Sequence, residues 1–89
     1  GVRITEAHLE TAVDGEQLYL TIKDLHEEYA TANVDLFNLV GQKVSTHTIP
    51  MNGNTLNTVI ALHGALANGL YVVNVTVGEQ TFMQRLVID

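Results

Sequence analysis

The stretch NGLYVVNVTVGEQTFMQRLVID, Asn68 to Asp89, holds two long β-type runs joined by a Gly-Glu turn, and it decides the fold. In the first run Tyr71, Val73, Val75 and Val77 recur at every second position. In the second, Phe82, Leu86 and Ile88 alternate with Met83, Arg85 and Val87. A period of two in β-branched and aromatic residues marks strands with one face in a core and the other toward water. Gly78 tolerates the positive φ that a tight hairpin turn requires. The segment is therefore expected to be a β-hairpin that presents the chain end on an ordered strand, where termini usually fray.

The same pattern runs upstream. QLYLTIK sets Leu18, Leu20 and Ile22 against Tyr19 and Thr21, and NVDLFNL sets Val34, Leu36 and Asn38 against Asp35, Phe37 and Leu39. QKVSTHTIP carries Val44 and Ile49 among Ser and Thr, as a more exposed strand ending at Pro50 does. TLNTVIALH is a further strand whose parity slips between Leu56 and Val59, so a bulge is expected there. VRITEAHLE at the front brings the count to about seven. Asp14-Gly15, Val40-Gly41, Asn52-Gly53, Asn68-Gly69 and Gly78-Glu79 punctuate these runs. KDLHEEYATA, Lys23 to Ala32, lacks a sustained apolar stripe and is expected to be an acidic loop with room for one helical turn. Short strands separated by frequent turn signals predict an all-β, immunoglobulin-like β-sandwich of about seven antiparallel strands.

Composition sets the limits. At 89 residues the chain is expected to form a single domain over residues 1–89 with one modest core. It has no cysteine, which excludes disulfides and thiolate metal sites. Four Lys+Arg against ten Asp+Glu give a formal charge of −6. Such a surface repels nucleic acid and anionic membranes, which select cationic patches. No apolar run approaches the ~20 residues of a membrane span, so membrane insertion is not expected.

Chemistry is hard to find in these residues. His26-Glu27-Glu28 lacks the second histidine of a zinc-protease helix, because Ala30 stands there. His8, His26, His47 and His63 have no ligand spacing, and Asp24, Glu27 and Glu28 lack the calcium-loop pattern. The only serine, Ser45, sits among strand residues and outside a nucleophile elbow. Asn74-Val75-Thr76 matches an N-glycosylation triplet, but it lies mid-strand. Tyr19, Tyr29, Tyr71, Phe37 and Phe82 are expected to serve core packing more than a sugar-stacking platform. The sequence predicts no enzyme and no cofactor.

Read together, VDLFNLVGQKV (Val34 to Val44), ALHGALANGLYVVNVTV (Ala61 to Val77) and QTFMQRLVID (Gln80 to Asp89) resemble a family, the type A C-terminal sorting domain of the type IX (Por) secretion system of Bacteroidetes. Asn38, Gly41, Gln42 and Val44 match its N-x-x-G-Q-x-V turn; Leu66, Gly69, Tyr71, Val73 and Val75 match its L-x-x-G-x-Y-x-V-x-V strand; Arg85, Leu86, Val87 and Ile88 match its closing strand. GEQLYLTI, Gly15 to Ile22, resembles the family's first strand, whereas its Pro-Asn-Pro opening is missing from ITEAHLETAVDGEQ.

The resemblance implies a secretion signal at the end of a larger exported protein. It also implies passage through the periplasm to the cell surface or the extracellular space. Its partners would be outer-membrane translocon components and a sortase-like cysteine protease. The sorting motif would be Gly41, Gln42, Val44, Gly69, Tyr71, Val73, Arg85, Leu86 and Val87. Two alternatives stand beside it. One is an accessory module binding glycan or protein, with an exposed aromatic patch or a calcium site near Asp24–Glu28. The other is a structural spacer or a self-associating unit, in which an open edge strand such as VRITEAHLE pairs with another copy.

Overall fold

Residues 7–62 and 66–89 are described by the computed structural model. They contain seven strands and no helix: β1 (Leu9–Asp14), β2 (Gln17–Ile22), β3 (Thr31–Asn38), β4 (Lys43–Pro50), β5 (Leu56–Ala61), β6 (Gly69–Val77) and β7 (Gln80–Ile88). They form two antiparallel sheets, one ordered β1-β2-β5 and the other β4-β3-β6-β7. This is the immunoglobulin-like sandwich the alternation predicts. It differs from a constant-type domain in that the fourth strand pairs with the third and leaves the first sheet three-stranded.

The inner faces follow from sequence parity. Leu18, Leu20 and Ile22 of β2, Val34 and Leu36 of β3, and Tyr71, Val73, Val75 and Val77 of β6 are all buried. Leu86 and Ile88 complete the layer from β7, while Leu56 and Ile60 do so from β5. Among the described residues no polar or charged side chain is buried, so hydrophobic transfer dominates the cohesion. The hairpins joining β1 to β2 and β6 to β7 each have a two-residue Gly-Glu loop, with Gly15 at φ 61° and Gly78 at φ 60°. Neither Glu16 nor Glu79 has positive φ, which makes both turns type II′, the form that places Gly first and matches strand twist.

Two expectations are corrected here. The bulge anticipated in TLNTVIALH is absent: β5 pairs with β2 without a break from Leu56↔Ile22 to Ala61↔Gln17. Thr58 takes the inner position between Leu56 and Ile60, and Val59 faces out, so the parity never slips. The irregularity lies instead at Val44, which is unpaired between Lys43 (opposite Phe37) and Ser45 (opposite Leu36). The first strand covers Leu9–Asp14, later than VRITEAHLE, and residues 1–6 lie outside the described ones.

The acidic segment is a loop without a helical turn, and it is tied down. Leu25 is buried, and the backbone N–H groups of Leu25 and Tyr29 donate to the carbonyls of Asn54 and Gly53, both at 3.2 Å. The Met51 N–H donates to the Ala30 carbonyl at 2.8 Å, fixing the other end of the same pair of loops.

Candidate functional site

The residues singled out for sorting lie in three places, and only some of them face solvent. The first is the turn from β3 to β4. Asn38 organises it: its Oδ1 accepts from the backbone N–H of Val40 at 3.1 Å and of Gln42 at 2.9 Å. Its Nδ2 donates to Gln42 Oε1 at 2.9 Å, and its carbonyl accepts from the Gly41 N–H at 3.1 Å. Gly41 at φ 86° occupies the left-handed region, as the third residue of a three-residue hairpin loop does. The spacing Asn-x-x-Gly-Gln is thus accounted for atom by atom. The two unspecified positions, Leu39 and Val40, are left outside as exposed apolar side chains.

The second place is the entry to β6. Gly69 was expected at a reversal; it is the first residue of β6, opposite Ile88, and its φ of 150° is one that side chains avoid. Two residues on, the Tyr71 ring is buried and its hydroxyl donates to the Ala67 carbonyl at 2.7 Å. A tyrosine near the start of the sixth strand, bonded to backbone a few residues upstream, is the tyrosine corner of immunoglobulin-like sandwiches. Val73 and Val75 are sealed in the core, and Leu66 packs against it.

The third place is β7, an edge strand paired with β6 without interruption from Val77↔Gln80 to Gly69↔Ile88. Leu86 is buried, whereas Arg85 and Val87 face out. Of the nine expected residues, Tyr71, Val73 and Leu86 hold the core, and Val44 sits half-buried at the bulge. Gly41, Gln42, Gly69, Arg85 and Val87 remain exposed. Sequence reasoning passed over their neighbours on the outer face, Phe37, Lys43, Leu70 and Met83. For Phe37, Leu70 and Met83 the one signal was an apolar residue at an outward strand position.

Catalytic geometry is not formed among the described residues: no hydroxyl bonds a histidine, and His8 pairs only with Glu10 at 3.0 Å. No group of three acidic, histidine or cysteine side chains is placed to hold a metal. A cleft of about 390 Å³ is lined by Ala7, His26, Gln80, Thr81 and Phe82. It brings one histidine to a turn with no charged partner. His47 sits half-buried on edge strand β4, and His63 lies outside the described residues. The aromatics divide between roles: Tyr71 is core, Tyr29 and Phe82 pack partly against it, and Tyr19 and Phe37 stand on opposite outer faces. Asn74 is held in central strand β6, paired on both sides, and so lies outside the exposed loop an acceptor triplet occupies.

A model of the family described as "Secretion system C-terminal sorting domain" matches residues 15–89 of the 89-residue chain. No curated protein matches it. The matched span opens at Gly15, in the first hairpin turn, and takes in every strand from β2 to β7.

Proposed function

We propose, starting from the fact that the chain belongs to the type IX secretion C-terminal sorting domains, that it is read as a folded body through the outer side of its closing strand. As a member it is a C-terminal sorting signal for type IX secretion, working with the secretion machinery and bound for the cell surface or extracellular space. The family is not catalytic, and the match favours sorting over an accessory binding module.

In the finer reading, residues 1–89 form the last domain of a larger exported protein. That protein crosses the periplasm, and outer-membrane translocon components recognise the module. A sortase-like cysteine protease then removes it, and the cargo is joined to surface lipopolysaccharide. The domain is the substrate of that chemistry. Within the sorting motif two tasks separate. Gly41, Gln42, Arg85 and Val87 are available for contact, while Val44, Gly69, Tyr71, Val73 and Leu86 hold those positions in place. The observation that supports this reading is β7 itself: nine residues, each opposite a partner on β6, present Arg85 and Val87 at fixed places. A rigid ribbon keeps the ordering entropy of recognition low.

The test fuses residues 1–89 behind a reporter in a type IX-secreting host. The reporter is expected at the surface or in the medium, and deletion of Gln84–Asp89 should leave it in the periplasm. Because that deletion also removes Leu86 and Ile88 from the core, Arg85→Ala serves as the variant that keeps the fold. A wild-type fusion that stays in the periplasm with a protease-resistant domain would overturn the reading.

A further inference from the structure

The charge of the molecule is unevenly placed. The four strands of the larger sheet hold one carboxylate, Asp35, although the chain has ten. Asp35 is already engaged: it accepts from Thr46 Oγ1 at 2.6 Å and lies 3.7 Å from Lys43 Nζ. The same four strands carry Lys43 and Arg85, half of the Lys+Arg in the chain. Arg85 has no ion-pair partner among the described residues.

Register joins these cations across the outer face. Phe37 lies opposite Lys43 on one side and Val72 on the other, and Val72 lies opposite Arg85. The row therefore reads Lys43–Phe37–Val72–Arg85, with a cation at each end of an apolar centre. Lys43 Nζ sits 5.9 Å from the Phe37 ring centroid, which orients the ammonium over the face. One step toward the chain end, Leu70 pairs with Val87, 46% and 57% exposed. Asn38 lies opposite Tyr71, so the turn bearing Leu39 and Val40, 68% and 80% exposed, sits at this same end. Met83, 67% exposed, continues the patch along β7. Five of the seven exposed large apolar residues among those described fall on this sheet and its turn. A contiguous exposed apolar patch on a small soluble domain marks an interaction surface.

We infer that the outer face of the β4-β3-β6-β7 sheet is the docking surface for the export machinery, and that its partner presents an apolar patch bordered by carboxylates. This rests on the sorting function and adds which face is used and what chemistry meets it. Charge complementarity selects the occupant. On a chain of net charge −6 this face carries Arg85, with no ion-pair partner among the described residues, and Lys43, whose charge Asp35 partly offsets, so Arg85 sets register and orientation while the apolar centre supplies affinity.

The experiment places outer-face variants in the reporter fusion, all at exposed positions so that the core is untouched. Arg85→Glu alone, and Leu70→Thr with Val87→Thr, are expected to cut export at least tenfold with the folded fusion retained in the periplasm. Tyr19→Thr with Val59→Thr, on the outer face of the opposite sheet, is expected to export as wild type. Thermal melts of each purified domain check that the fold persists. Normal export of both outer-face variants overturns the assignment of the face and leaves the sorting function standing, whereas a wild-type fusion that is never exported overturns both. Size-exclusion chromatography covers the remaining occupant. A wild-type domain that dimerises, with Arg85→Glu monomeric, would assign the face to a second copy and refute the acidic partner.

Discussion

The hydroxyl of Tyr71 donates a 2.7 Å hydrogen bond to the carbonyl oxygen of Ala67, four residues earlier in the chain. The bond ties the approach segment of β6 to its first buried side chain, directly beside Gly69 and the end of β7. Tyr71→Phe removes the bond and keeps the ring, so it is expected to destabilise the domain by about 1 kcal/mol. Tyr71→Ala also empties a core position and is expected to cost about 3–5 kcal/mol, a large part of what a small domain holds. Urea unfolding of both variants checks the ratio; equal losses would mean the hydroxyl carries more than the ring.

The turn at Asn38 gives a second separable pair. Asn38→Ala strips the acceptor that two backbone N–H groups share, and its expected cost is about 1 kcal/mol because both donors can turn to water. Gly41→Ala meets no atom within 4 Å of the added carbon, so its cost comes from φ alone, about 1 kcal/mol. Gly41→Asn should recover most of that loss, since asparagine tolerates the left-handed region. Thermal denaturation of the three variants reads the order.

Parity made the core legible in the sequence. Leu18, Leu20, Ile22 and the series Tyr71, Val73, Val75, Val77 recur at every second position without a gap, whereas the opposite faces of the same strands are interrupted by Thr21, Asn74 and Thr76. Val59 misled because an exposed valine and a half-buried Thr58 exchange the positions hydrophobicity assigns them; at an outer strand of a three-stranded sheet, burial demands little. The bulge at Val44 was hidden for a related reason: its side chain is apolar whichever way the strand slips, and only the pairing of Lys43 and Ser45 reveals the extra residue. The outward patch escaped because Leu70, Met83 and Val87 read as ordinary strand formers until the register sets them side by side.

Gly78 should be far less tolerant than Gly41. It has φ 60°, and a carbon added there would lie 2.5 Å from Tyr29 Cε1. That ring is partly buried and packed against the core, so swinging it clear gives up part of that packing. Gly78→Ala is expected to cost about 2–3 kcal/mol, the sum of a conformational and a steric penalty. In a Tyr29→Ala background the same change should cost only about 1 kcal/mol. The double-mutant cycle tests this coupling; additive losses would show that the ring yields freely.

The last prediction runs toward greater stability. Asn74 stands in central strand β6 between Asp35 and Met83, and its Oδ1 is shielded with no hydrogen-bond partner among the described residues. An unmet buried acceptor carries its desolvation cost uncompensated, and asparagine is a poor strand residue besides. Asn74→Val removes the acceptor, adds β-branching and places a third apolar side chain beside Val72. It is expected to stabilise the domain by about 1 kcal/mol, or roughly 4–8 °C in Tm for a domain of this size. Asn74→Asp, nearly isosteric, should do the reverse, because it sets a second carboxylate directly across from Asp35. Scanning calorimetry of the pair decides between two accounts of the site. A Tm that falls for the valine variant would mean that the Asn74 amide makes a stabilising bond, to a bound water for instance.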